Sequence, residues 1–104
     1  MDMNIQKYLA FLKTAELGSF TKAAEALFYS QSGISRMVGD LERDWKVSLL
    51  ERGRSGVRLT SDGEKLLTSV QRVCADYQKL QTQIDEVNGL QSGLIPIGTF
   101  YSVA

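Results

Sequence analysis

The sequence predicts a mainly α protein: a winged helix-turn-helix of three helices plus a two-stranded wing, followed by a long dimerisation helix. Three observations carry this expectation. Apolar residues recur at helical spacing in three blocks before residue 46. A turn rich in arginine and glycine, Arg52-Gly53-Arg54-Ser55-Gly56, then separates two short extended segments. An unbroken heptad stripe follows, from Leu66 to Val87. The organisation expected is a domain over 1–60, a linker helix over 61–89, and over 90–104 the start of a further, truncated domain.

Ile5, Tyr8, Leu9, Leu12 and Ala15 place an amphipathic helix over 4–16, with Gly18 as a left-handed cap. Ser19 or Thr21 can cap a short second helix, Lys22 to Phe28, whose Ala23, Ala24 and Leu27 form a thin face that packs closely. Tyr29-Ser30-Gln31 is the break. A third helix runs from about Ser32 to Trp45, with Ile34, Val38, Leu41 and Trp45 along one side. Small residues on one helix and a short turn before the next suit two helices that cross steeply. Leu49 to Arg52 and Val57 to Thr60 then read as the two wing strands. Thr60 or Ser61 opens the last helix, where Ser61-Asp62-Gly63-Glu64 fits a capping box.

In that helix Leu66, Val70, Val73, Tyr77, Leu80, Ile84 and Val87 are spaced 4, 3, 4, 3, 4 and 3 apart, an a/d seam over three heptads. A helix from 61 to 88 would be roughly 42 Å long, too long for a core of this size to cover, so the seam is expected to meet a second chain. Asn88-Gly89 and Ser92-Gly93 break the helix, and Leu94-Ile95-Pro96-Ile97-Gly98 looks like an edge strand.

Composition excludes several function classes. The chain has no histidine and one cysteine, Cys74, so neither a Ser/His or Cys/His nucleophile nor an intrachain disulfide can be assembled. No phosphate-binding glycine loop is present. An enzyme is not expected. No apolar stretch reaches membrane-spanning length and no signal peptide opens the chain, so a soluble, cytoplasmic protein without membrane contact is expected. The net charge is zero, but nine basic against seven acidic residues fall before residue 60, and Arg52, Arg54 and Arg58 lie within seven residues that hold no acid.

In a helix-turn-helix, the N-terminal residues of the second helix of the pair reach base edges in the major groove. Gln31, Ser32, Ser35 and Arg36 occupy that place, and Gln and Arg can pair in bidentate fashion with adenine and guanine. The bland alternative is a solvated helix face with Ser30 or Ser32 as a cap. Arg54 at the wing tip suits a phosphate or the minor groove. Arg52 has two readings, a phosphate contact or an ion pair with Glu42 that holds the wing to the third helix, the second being favoured. Thr60 is a helix cap first and a phosphate ligand second, and Lys22 is a phosphate contact or a solvated charge. Cys74, at an e position, is expected to serve packing.

The segments Gly18-Ser19-Phe20-Thr21-Lys22-Ala23-Ala24, Ser30-Gln31, Ser35-Arg36, Leu41-Glu42, Leu49-Leu50-Glu51-Arg52 and Leu59-Thr60-x-x-Gly63 resemble the LysR-type transcriptional regulators, in register from residue 5 to about 70. The resemblance implies a DNA-binding winged domain, a linker helix that pairs antiparallel in a homodimer (or a tetramer at full length), and a C-terminal domain that binds a small-molecule effector. No cofactor is expected within these residues. Two pairs of residues depart from the family pattern. Ser32 and Gly33 stand where proline and a small alkyl residue are usual, which loosens the helix start by ~0.5–1 kcal/mol. Trp45-Lys46 replaces a leucine-glycine pair, and a left-handed Lys46 would cost roughly 1 kcal/mol. The competing reading is a protein-interaction module built on the same scaffold, since fold does not fix function.

Overall fold

The computed structural model describes residues 3–89. Its elements run α1 (Met3–Leu17), α2 (Phe20–Leu27), α3 (Gln31–Trp45), β1 (Leu50–Gly53), β2 (Gly56–Leu59) and α4 (Ser61–Val87). This is the mainly α winged architecture expected, and observed boundaries differ from the predicted ones by one or two residues. The strand expected near Leu94 lies outside the described residues.

α1 packs against α2, α3 and β2. Its most deeply buried positions are Ala10, Phe11 and Thr14 rather than the stripe of Ile5, Tyr8, Leu9, Leu12 and Ala15, of which only Ile5 is fully covered. A helix with neighbours on three sides is apolar round most of its circumference, so no single stripe marks its inner face. The Thr14 hydroxyl is satisfied by donating to the Ala10 carbonyl at 2.7 Å.

Serines start the next two helices. Ser19 Oγ accepts from the Lys22 amide at 3.1 Å, and Ser30 Oγ accepts from the Gly33 amide at 3.0 Å. Both helices end on non-glycine residues in the left-handed region, Phe28 at φ 63° and Lys46 at φ 58°. The Lys46 amide closes α3 by donating to the Glu42 carbonyl, so the left-handed cap is formed without the usual glycine.

The wing pairs Leu50 with Leu59, Glu51 with Arg58, Arg52 with Val57 and Gly53 with Gly56, leaving Arg54-Ser55 as the turn. Two anchors hold it. Glu42 Oε2 accepts from the Leu49 and Leu50 amides at 2.7 and 3.2 Å, joining β1 to α3. At the other strand the Val57 amide donates to the Gly18 carbonyl at 3.0 Å. Gly56 has φ +124°, and a Cβ there would lie 2.6 Å from the Gly18 oxygen. The strand can approach the end of α1 because that residue has no side chain.

Thr60 caps α4. Its Oγ1 accepts from the Gly63 amide at 2.9 Å and donates to the Ser48 carbonyl at 2.5 Å. The observed cap is therefore one residue before the Ser61 capping box, and Gly63 stands where the box would need Glu or Gln. Gly63 is buried because the first turn of α4 presses on the backbone at Leu49, whose oxygen would lie 2.2 Å from an added Cβ.

One compact unit ends at Cys74 and a second begins at Ala75. The domain boundary expected at residue 60 thus moves into α4. The cause is burial: Val70 is 6% and Cys74 5% exposed, both in the core with Ile34, Leu41 and Leu49, and Leu66 and Leu67 pack against it. This corrects the reading of the seam. Val70 belongs to its own domain, and Leu66 is largely committed there. Val73 stands 45% exposed at the rim of an apolar groove of about 460 Å³ lined also by Tyr8, Trp45, Val47, Leu66 and Val70. The Tyr8 and Trp45 rings meet there, tilted by 38° with centroids 5.7 Å apart. In the second unit, Tyr77 is half-buried, while Leu80, Ile84 and Val87 are exposed at heptad spacing along α4. Burial pushes the Cys74 thiol up from its ordinary value, which suits packing and disfavours a reactive thiolate.

Candidate nucleic-acid interface

α3 divides cleanly into two sides. Ile34, Val38 and Leu41 are buried against α1 and α2, while Gln31, Ser32 and Arg36 project into solvent. Gln31 sits four residues before Ser35, and Ser32 four before Arg36, so these side chains stack in two short rows at the start of the helix. The Ser30 and Ser32 hydroxyls lie 3.3 Å apart, and Ser30 is the cap. No acidic residue occupies the first turn of α3, which leaves the positive end of its dipole uncompensated. Such an end favours phosphate oxygens.

Arg52 does not pair with Glu42. Its guanidinium donates to Ser35 Oγ at 2.7 Å and lies 4.6 Å over the centre of the Phe20 ring. Glu42 is already engaged by two backbone amides. The expected role, holding the wing against α3, is met through a different partner. Ser35 is drawn into the same latch and keeps its hydrogen and one lone pair for other partners. Thr60 is similarly engaged, giving its proton to Ser48 and accepting from Gly63. Arg58 pairs with Glu51 across the hairpin at 3.4 Å, an exposed contact contributing ~0–1 kcal/mol.

Lys22, Arg36 and Arg54 are exposed, and among the described residues no carboxylate pairs with any of them. By contrast Asp40 takes both Lys7 and Arg43, and Glu16 takes Lys13. These three lie on α2, on the free side of α3 and at the wing tip, while Lys46, Lys65, Arg72 and Lys79, likewise without a carboxylate partner among the described residues, lie at the end of α3 and along α4. Such a set can meet an extended polyanion at several points, with Gln31 and Arg36 offering forked hydrogen-bonding geometry to base edges. The break before α3 carries a residue that sequence reading passed over: Phe28, 94% exposed, with Tyr29 beside it at 40%. In sequence Phe28 reads only as the last residue of the second helix, outside the face of Ala23, Ala24 and Leu27.

Together, a short helix pair with a capped second member and a basic hairpin wing define a winged helix-turn-helix. The chain belongs to the LysR family of bacterial regulatory helix-turn-helix proteins, whose family model matches residues 5–64. It is 40% identical over 86 residues to the HTH-type transcriptional regulator GalR of Pseudomonas putida, covering 83% of this chain and 22% of that protein. It is 36% identical over 99 residues to the regulator YvbU of Bacillus subtilis, covering 94% and 34%. The chain therefore spans about a fifth to a third of the length of these relatives, which are regulators of transcription rather than enzymes.

Solved structures agree. The CbnR DNA-binding domain in complex with DNA superposes with TM-score 0.74 at 30% identity, over 85% of this chain and 99% of that one. The BenM DNA-binding domain bound to catB site 1 DNA gives 0.77 at 25% identity, over 88% and 100%. Among the described residues, no helix is long and apolar enough to cross a membrane.

Proposed function

We propose that this chain binds duplex DNA sequence-specifically, as a homodimer, in the control of transcription in the bacterial cytoplasm. The observation that carries it is the exposed start of α3, where Gln31 and Arg36 stand free beside an uncompensated helix dipole, with unpaired Arg54 at the wing tip. Gln31 and Arg36 read bases, Arg54 and Lys22 meet phosphate, and Ser32 supports the helix start. Arg52, Ser35 and Thr60 chiefly fix the relative placement of wing and helix. The exposed row of α4 within the second unit, Leu80, Ile84 and Val87, with half-buried Tyr77 before it, supports the homodimer. Control by a small-molecule effector is proposed for a longer protein, through residues outside those described.

Selection of fragments from a random duplex pool, followed by titration at several salt concentrations, tests the DNA reading. Log affinity is expected to fall steeply and linearly with log salt, because each neutralised phosphate releases counterions. A response that stays flat up to physiological salt would falsify duplex binding.

Two substitutions should then differ in kind. Arg36→Ala is expected to lose ~1–3 kcal/mol and relax selectivity at one base position. Arg54→Ala should weaken all duplexes alike and reduce the salt slope by about one. An unchanged ranking of operator variants with Arg36→Ala would remove that residue from base reading.

A further inference from the structure

Phe28 ends α2 in a backbone conformation that suits glycine or asparagine, with φ +63°, and its side chain is 94% exposed. A bulky residue at positive φ is an outlier that directs attention to use rather than to chance. Among the described residues the fold makes no use of the ring. Phe28 takes no part in the hydrophobic core, although Ala23 and Ala24 of the same helix do. Its backbone has a task, since the Phe28 amide donates to the Ala24 carbonyl, but any residue tolerant of the left-handed region would perform it.

We infer that Phe28 is a specificity-determining residue that sets its ring against a thymine 5-methyl group at the edge of the major groove. This rests on the duplex-binding reading above and is continuous with that surface. Phe28 lies three positions before Gln31, so their Cα atoms lie within ~11 Å. The major groove is ~12 Å wide. The connection is held short, because the Tyr29 amide donates to the Ala24 carbonyl at 2.9 Å and Ser30 already caps α3. With Gln31 at the base edges, Phe28 stands at the mouth of the same groove. The thymine methyl is the hydrocarbon group that base edges display there, and apolar side chains contact it.

The test uses the whole chain and the duplex it selects. Phe28→Asn removes the ring while suiting the left-handed backbone, so its Tm is expected to equal or exceed that of the wild type. Its affinity for the selected duplex should nevertheless fall, by about fourfold or more per half-site. Replacing thymines one at a time by uracil deletes only the methyl group. At one position per half-site this should weaken the wild type about fourfold, the share of one buried methyl, and leave the variant unaffected. A Tm well below the wild type overturns the inference, because the ring would then be packing within the fold. Undiminished affinity of F28N overturns it too, as when the ring docks on another protein instead. Equal sensitivity of both proteins to every uracil, or of neither, also overturns it. A wild type that enriches no duplex removes the DNA reading itself, and that result appears before any variant is compared.

Discussion

Leu80→Asp is expected to leave the chain monomeric and to lower its affinity for a two-half-site operator by about two orders of magnitude. Leu80 is 49% exposed, in a row with Ile84 at 41% and Val87 at 86%. Such a row facing water is an apolar patch of the kind that marks an interaction surface. Pairing two copies of α4 would cover it, and an aspartate at its centre would then be a buried, unpaired charge. The same side chain lies outside the core of the first unit, so thermal unfolding of the helix-turn-helix should be unchanged. The loss of affinity follows from tethering, since a second half-site engaged within one complex experiences a high effective concentration. Sedimentation velocity and operator titration on both proteins separate the two claims. A wild type that stays monomeric at high micromolar concentration sinks the homodimer. A monomeric variant that binds the full operator undiminished sinks the coupling.

Gly63→Ala should destabilise the domain by about 3 kcal/mol, although the residue is helical. Helix propensity alone points the other way, favouring alanine by about 1 kcal/mol. Sterics decide the sign here. The new Cβ would lie 2.2 Å from the Leu49 oxygen, 3.1 Å from the Leu49 carbonyl carbon and 3.1 Å from Leu59 Cδ2. Two of those atoms are backbone, fastened through the Glu42 carboxylate and the hairpin, and cannot yield cheaply. A loss of that size is a large part of the total stability of a small domain. Gly39→Ala in α3 is the control, because its nearest contact would be an ordinary 3.8 Å to the end of the Arg43 side chain. It should stabilise by roughly 1 kcal/mol. Urea titration of both variants reads the contrast, and two shifts of the same sign would refute the close approach at Gly63.

The helices and the wing were legible because their signals are local. Apolar spacing in α3, the cap at Ser19 and the Arg54-Ser55 turn each involve residues near one another in sequence. What could not be read was which partner satisfies a given side chain. Heptad spacing records that one face of α4 is apolar, but Val70 facing its own core and Leu80 facing outward leave the same trace. Arg52 and Glu42 look like an ion pair in sequence. In the fold the carboxylate is taken by two backbone amides and the guanidinium reaches Ser35 and Phe20. Backbone donors have no sequence signature, so such competition stays hidden. Thr60 was ambiguous between cap and ligand for a related reason, since its contact to Ser48 depends on a chain reversal that composition does not report. Gln31, Arg36 and Arg54 were legible as cations and forks, and the structure adds that no carboxylate among the described residues engages either arginine.

Trp45 is the sole tryptophan of the chain. It stands beside Tyr8 where α1, the end of α3 and the first turns of α4 come together, in the groove shared with Leu66, Val70 and Val73. Indole emission moves to longer wavelength when water reaches the ring, and tyrosine at this separation transfers its excitation efficiently. The molecule therefore carries a natural fluorophore at the junction between α3 and the first turns of α4. Lifting α4 away would redden the emission, and anything that packed against Val73 would quench or blue-shift it. Assembly of this domain can thus be followed optically in the unlabelled protein, by one signal that belongs to one place.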